Sequence, residues 1–285
     1  MILALSSLAP AQTNEVVSGS NAVEVAESEL KANDESGRSW LAAPLVTSNP
    51  TFGNGLGAVG MLFYRPDKTD TVSPASALTA VGMYTDTDSH FFGLFNRTYL
   101  RQDVWRIAGG YINGKVNNEF NVPEVDGAVE FSTHLNGLFG RVDKRVHGNW
   151  FLGGLAAVID LRYREGNELS KIYFQKYNVE DNLSGQFGFI GAHDSRDDVR
   201  YPEDGNFSEA RFVLVPEWLG SIEGYHVTEA FVNQYESFFD QQVLAMRAYG
   251  RFTPSGTPYS GLSSLGRGSD LRGYTSGENV AENLA

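Results

Sequence analysis

From Trp40 onward, apolar and polar residues alternate with a period of two in segments of roughly 8 to 16 residues, separated by clusters of Gly, Asn, Asp, Pro and Ser. Such alternation sends successive side chains to opposite faces of a strand, and regular turn clusters join the strands into an antiparallel meander. The pattern predicts eleven strands, over 40–47, 54–64, 76–84, 89–99, 103–112, 127–141, 149–163, 184–194, 206–216, 224–238 and 241–252. In the sixth, Val129, Phe131, Leu135 and Phe139 fall on one side and Glu130, Ser132, His134 and Asn136 on the other. In the seventh, Phe151, Leu155, Ala157, Ile159, Leu161 and Tyr163 oppose Gly154, Ala156, Asp160 and Arg162; in the eleventh, Leu244, Met246, Ala248 and Phe252 oppose Arg247, Tyr249 and Arg251. The expectation is a sheet whose apolar side meets lipid and whose polar side lines an interior.

A soluble sandwich alternates too, so strand length and the aromatic residues decide. Membrane strands need about 9 to 11 residues, whereas soluble strands most often have about 5 to 6. The segments here are long. Trp40, Trp105 and Trp150 open odd-numbered strands and Tyr99 closes an even one, which predicts one aromatic rim; Trp218 and Tyr163 are expected at the opposite rim. No apolar run approaches the ~18 residues of a membrane helix. The predicted fold class is therefore all-β, a transmembrane antiparallel up-and-down β-barrel. Lipid-facing strands must pair every backbone group, and bacterial single-chain barrels close with an even strand number. Eleven strands and a last residue, Ala285, in a Gly/Ser-rich stretch lead to the expectation of a C-terminally truncated barrel.

Composition adds exclusions. Lys plus Arg is 22 against 35 Asp plus Glu, a net charge of −13, which removes the basic footprint of a nucleic-acid binder. Zero cysteines exclude thiol catalysis, disulfides and thiolate metal sites. Thirty-one glycines and 12% aromatic residues favour strands and turns. Residues 1–11 (MILALSSLAPA) read as the remnant of a secretory signal with an A-x-A site, although a basic n-region is missing. Residues 12–38 form a polar, acidic linker, and 39–285 the partial barrel domain.

Two segments carry further specificity. His193-Asp194-Ser195-Arg196-Asp197-Asp198 is followed by Tyr201-Pro202-Glu203-Asp204-Gly205, between the eighth and ninth strands; Leu265-Gly266-Arg267-Gly268-Ser269-Asp270-Leu271-Arg272-Gly273-Tyr274 lies in the long loop after the eleventh. The turn of Asp194, Arg196, Asp197, Pro202 and Gly205, with the loop motif Leu271, Arg272, Gly273 and Tyr274, resembles the BamA/TamA family of outer-membrane barrels, also called the bacterial surface antigen family. The resemblance covers about residues 40 to 285. It implies a sixteen-stranded barrel in a bacterial-type outer membrane, of which about eleven strands stand in this chain. It also implies a loop that folds back into the lumen, where Arg272 pairs with acids on strands beyond it. Residues 12–38 are too short for even one periplasmic POTRA domain, so the chain looks like the members with a barrel and a short N-terminal segment.

Other constellations are weaker. Gly55-x-Gly57-x-x-Gly60 matches a dinucleotide fingerprint in letters but opens a strand where a helix is required. Five histidines are scattered without ligand spacing, and Asp194, Asp197 and Asp198 are interleaved with Arg196 and Arg200, so neither a metal nor another cofactor is expected. Ser264 and Ser269 lack a nucleophile elbow, and no enzymatic activity is expected. The resulting expectation is a barrel that assists insertion or translocation of unfolded outer-membrane or secreted polypeptides, with outer-membrane lipid as its surround. An exposed strand edge would template the incoming strand; Pro44 and Pro50 would keep that edge weakly paired. The alternative is a passive pore or surface-receptor barrel.

Overall fold

The structure is a computed structural model that describes residues 40–49, 53–121, 127–199, 201–238, 242–264 and 280–284. The signal remnant, the linker and Leu271 to Tyr274 lie outside the described residues.

The strands follow one another as β1 (Trp40–Asn49), β2 (Gly53–Tyr64), β3 (Ser76–Thr85), β4 (His90–Leu100), β5 (Trp105–Asn121), β6 (Ala128–His147), β7 (Trp150–Glu165), β8 (Asn182–Asp194), β9 (Gly205–Val215), β10 (Tyr225–Ser237) and β11 (Val243–Phe252). Short pairs follow as β12 (Ser263–Ser264), β13 (Val280–Ala281) and β14 (Asn283–Leu284). All eleven long strands pair antiparallel with their sequence neighbours in one curled sheet, to which β14 adds on β11. This is the predicted all-β, antiparallel up-and-down arrangement, with the sheet unclosed among the described residues. The end where β1 starts is called lower and the end where it stops upper.

Strands β5, β6 and β7 are longer than the rest, at 17, 20 and 16 residues. Their upper ends carry a helix that the alternation did not predict, α1 (Glu168–Tyr177). Asn167 caps it: its side chain accepts from Ser170 N at 2.9 Å, while Ser170 Oγ accepts from Asn167 N at 3.2 Å. This capping box satisfies two otherwise orphaned donors. The Asn167 amide also donates to Ala128 O at 2.8 Å, which fastens the helix to β6.

The face assignment needs correction in two of the three strands. In β11 the expected side faces out, with Leu244, Met246 and Phe252 exposed. In β6 and β7 the apolar set faces in: Val129, Phe131, Leu135, Phe139, Phe151, Leu155, Ala157, Ile159, Leu161 and Tyr163 are all buried. The reason is an exchange of polarity part-way along these strands. Over their lower parts the outward positions are apolar, among them Ile107, Tyr111, Leu138, Val142, Leu152 and Val158. Higher up they become Asn113, Asn136 and Asp160, then Lys115, His134 and Arg162, each set aligned across the strands. Inside, the order is opposite. Arg141 and Asp143 stand low on β6, whereas Val129, Phe131 and Leu135 stand high and pack on Tyr173 of α1. Fully burying side chains such as Ile159 and Leu161 contributes about 1.5–3 kcal/mol each.

Two rim assignments change as well. Trp40 and Trp150 are exposed at the lower rim as expected, at 61% and 55%, and Lys144 lies over the Trp105 ring there. Tyr99 instead faces inward, 5% exposed, beneath Arg97 and Arg106. At the upper end Trp218 is exposed, but Tyr163 is buried against Phe131 and Phe174.

The lower β4–β5 turn places three consecutive non-glycine residues in the left-handed region, Arg101, Gln102 and Asp103, with φ of 56°, 57° and 60°. Each such residue stores strain and persists only where its surroundings hold it. Here the 65–75 connection does so: Asp70 accepts from Gln102 N at 2.7 Å and Ser73 Oγ from Asp103 N at 2.7 Å. Asp70 also accepts from Ser73 N and Ser73 Oγ. These donors, the Ser73 pair first and then Gln102 N, hold its carboxyl well below the ordinary value of 3.8. A depressed carboxyl contributes stability that is present above its unfolded pKa and is lost as pH falls through the folded one. The urea midpoint of the refolded chain is therefore expected to drop as pH goes below about 4. Asp70→Asn should lower the midpoint at neutral pH and lessen that drop; an unchanged neutral midpoint would mean that the turn holds itself.

Candidate functional site

The inward rows of the lower sheet assemble two runs of ion pairs. At the rim, Arg145 Nη2 contacts Asp103 at 2.5 Å, Asp103 takes a bidentate pair from Arg106 at 2.8 and 2.7 Å, and Arg106 Nη1 reaches Asp194 at 2.6 Å. Arg196 closes this run with a bidentate pair to Asp194 at 2.8 and 3.0 Å. The planar fork of arginine suits such pairs, and its flat faces stack on rings. The Arg106 guanidinium lies 3.9 Å from the Phe151 centroid and that of Arg196 4.4 Å from Phe207.

A second run crosses the wall one tier higher. Arg141 donates to Asp143 at 2.7 Å and to Glu209 at 2.8 Å. Arg211 stands between Glu209, at 3.8 Å, and Glu229, to which it donates a hydrogen bond. Arg251 lies 3.9 Å from Glu229 and turns its remaining donors on the segment after β11, to Ser263 Oγ at 2.7 Å and Gly261 O at 2.8 Å. The side chains of this run are at most 10% exposed. Along this run three arginines meet three carboxylates, and it spans β6, β9, β10 and β11. Gly153 on β7 leaves the space, since a Cβ there would stand 2.0 Å from Asp143 Oδ1.

The Asp194 turn belongs to the first run. Asp194 ends β8 and joins Arg106 of β5 to Arg196 of its own turn. Asp197 points elsewhere and accepts from the backbone of Glu203 at 3.0 Å and Asp204 at 3.2 Å. Asp198 accepts from Tyr201 N at 2.9 Å. Pro202 is half-buried beside them. Gly205 sits at φ +105°, and a Cβ there would meet Ser195 O at 2.3 Å, so this position requires glycine. The members of this motif thus divide: Asp194 and Arg196 enter the interior, and the others shape the turn.

Above the ions the interior is aromatic. Phe131 stacks on Tyr173 at 6.2 Å and meets Phe174 edge-on at 5.3 Å; Tyr163 and Tyr173 both approach Tyr259, at 6.1 and 6.3 Å. Tyr259 belongs to the same segment that Arg251 holds. That segment is packed on the inner wall at Gly261, where a Cβ would stand 2.6 Å from the Tyr225 ring. Its returning limb pairs through β12 with β13, and Thr253 donates through N and Oγ1 to Glu282 O at 3.2 and 2.6 Å. The first limb, through Gly261 and Ser263, is thus buried on the inner wall, and the second joins it through β13 before β14 extends the sheet at β11.

Sequence reading singled out Asp194 and Arg196 but missed Arg106, Arg141, Glu209, Glu229 and the plug formed by α1. The ladder left one signal: Glu209 with Arg211, Glu229, and Arg247 with Arg251 occupy alternate positions of adjacent strands. Nothing in a single strand shows that they meet.

No family model and no curated protein matches this sequence. Among solved structures, the crystal structure of BamA from Haemophilus ducreyi lacking POTRA domains 1–3 matches with a TM-score of 0.50 at 18% identity. The match covers 84% of this chain and 46% of that one, so the chain spans about half the length of the structure it resembles. At this identity the likeness is one of fold.

Removing one partner of a buried pair leaves a charge uncompensated, which costs about 3–5 kcal/mol. Glu209→Ala takes one of two carboxylate partners from both Arg141 and Arg211, leaving the run one negative charge short, and is expected to destabilise the folded chain by up to that amount in equilibrium urea unfolding. Glu168→Ala, on the exposed face of α1, should cost less than about 0.5 kcal/mol. Equal effects from the two variants would dismiss the ladder as a stabilising element.

Proposed function

We propose that the chain is an outer-membrane β-barrel protein that assists insertion or translocation of polypeptides by offering a strand edge as a template. The membrane setting is supported by the outward band. On β7 it runs from Trp150 to Val158, nine residues, within the range of about 9 to 11 that a tilted strand needs. The tryptophans at its lower boundary suit a water interface. The longest connection, 166–181 with α1, stands at the upper end together with 216–224, while the lower end carries 65–75 and 195–204 beside the short turns 101–104 and 148–149. Bacterial barrels keep longer connections outside the cell and short ones inside, so the upper end is read as external.

One observation carries the templating step. Pro44 stands inside β1, whose ten positions from Trp40 to Asn49 pair with β2, and removes one main-chain donor from that strand. A weakly paired strand offers its main-chain donors and acceptors in register to an added one. The mechanism asks for main-chain hydrogen bonds and no catalytic side chain. The aromatic cluster around α1 and the buried ion pairs line the inner wall with side chains held by one another, which favours this reading over a passive pore.

Two measurements test it. The chain has no cysteine, so Ala42→Cys gives a single thiol on β1. During assisted insertion of a client barrel into vesicles, that thiol is expected to cross-link to a cysteine in the client's terminal strand; insertion without any such adduct would defeat templating at β1. In planar bilayers the protein should show little steady conductance, with Tyr173→Ala/Phe174→Ala raising it. A stable large conductance of the unaltered chain would favour the pore.

A further inference from the structure

The first three strands stand apart from the other long strands. β1, β2 and β3 contain no Asp, Glu, Lys, Arg or His, whereas each strand from β4 to β11 contains at least one charged residue. Register lays β1 to β3 out as a panel that is uncharged on both faces. Inside, Leu41, Ala43 and Leu45 of β1 stand opposite Met61, Val59 and Gly57 of β2. Outside, Trp40 and Val46 of β1 are exposed. The inner faces of β6, β9, β10 and β11 carry the ion run from Asp143 to Arg251 instead. The inner row of β1 is also closed to water: Leu41, Ala43 and Leu45 are buried, and Ala43 and Leu45 belong to one apolar cluster with Phe95, Leu135, Ile159 and Tyr173.

This panel sets terms for any strand that adds to β1. Side chains directly opposed across a strand pair lie about 5 Å apart, so the inward residues of an added strand would stand beside Leu41, Ala43 and Leu45. A charged side chain there leaves water for an apolar surround, which is strongly unfavourable unless a partner is near. Along the wall the first charged residue is Arg97 on β4. Neighbouring strands lie about 4.8 Å apart, which puts β4 roughly 19 Å from the added strand. Attraction over such a distance is too weak to offset the lost hydration. An apolar side chain in the same place extends the cluster. Shape is read less strictly than charge. Met61 packs against the cluster, and Met83 lies in the next strand of the panel; unbranched thioether side chains adapt to irregular neighbours.

We propose that the β1–β3 panel restricts templating to polypeptide strands that carry no charge on their inward face, and that within this class it tolerates side chains of different size. The outward residues of the same strand would meet lipid, so the accepted segment is uncharged on both sides over the stretch opposite Leu41 to Leu45. This names the class of segment that β1 receives, and it rests on the templating reading above.

For the test, the full chain with Ala42→Cys is held in zwitterionic detergent micelles and offered peptides that match β1 in length, each with a bromoacetyl group at one end. Two peptides share one composition and the same outward apolar residues. In the first, Lys and Glu occupy the central inward positions and alanines the ends; in the second these are exchanged. Thioether adduct on the introduced thiol is counted by mass spectrometry. The peptide with the uncharged centre is expected to give roughly tenfold more adduct, and changing its central alanines to valine or methionine should alter the yield by less than about threefold. Equal yields from the two isomers, or more adduct from the charged centre, overturn the selection and leave templating at β1 in place. A tenfold spread among alanine, valine and methionine centres overturns the tolerance of size. No adduct from any peptide overturns both the selection and the templating reading.

Discussion

The exchange of polarity between the two faces of β5 to β7 governs the rest of the molecule. A strand has only two faces, and both must suit their surroundings at every height. Where the outside is apolar, at Leu138 and Val158, the inside can hold Arg141 and Asp143. Where the outside turns polar, at His134 and Arg162, the sheet gains a second apolar side and must bury it. Helix α1 exists to satisfy that demand. Its own apolar content is modest, and a helix of ten residues is marginal alone. Docking Tyr173 and Phe174 on Phe131 and Tyr163, together with the Asn167 cap, makes it stable where it lies.

The ion pairs below the plug have a different role. Desolvating a charge is expensive, and a buried pair recovers that cost only with good geometry and further hydrogen bonds. Such a ladder is therefore weak as a source of net stability and strong as a constraint on arrangement. Several of the arginines link separate elements: Arg106 joins the β4–β5 turn to β8, and Arg141 joins β6 to β9. A one-residue slip of any strand would turn its member of the ladder outward. Three left-handed residues in the β4–β5 turn are tolerated because Asp103 among them is tied both to Ser73 and to two arginines.

Much of this was legible in the chain. Alternation located all eleven long strands, because period-two patterning is local and each turn is marked by its own residues. Trp40, Trp105 and Trp150 were placed at the correct rim for the same local reason. What alternation cannot supply is the identity of the medium on each side. Val129, Phe131 and Leu135 read as a lipid-facing row, and only contact with a helix forty residues later turns them inward. Tyr99 and Tyr163 failed likewise, since a strand-end tyrosine has the same pattern on either face. Asp194 and Arg196 stood out as a motif, but Arg106 lies 88 residues from its partner Asp194, and no spacing rule reaches that far.

The plug and the ladder meet in one segment. Tyr259 packs into the aromatic cluster, while Gly261 and Ser263, two and four residues on, accept from Arg251 at the end of the ion tier. Gly261 also lies flush against Tyr225. Over so short a stretch the chain cannot leave the plug and keep the arginine without straining its backbone, so the two attachments act as one. Displacing this segment would therefore uncover aromatic surface and leave Arg251 short of two acceptors at once.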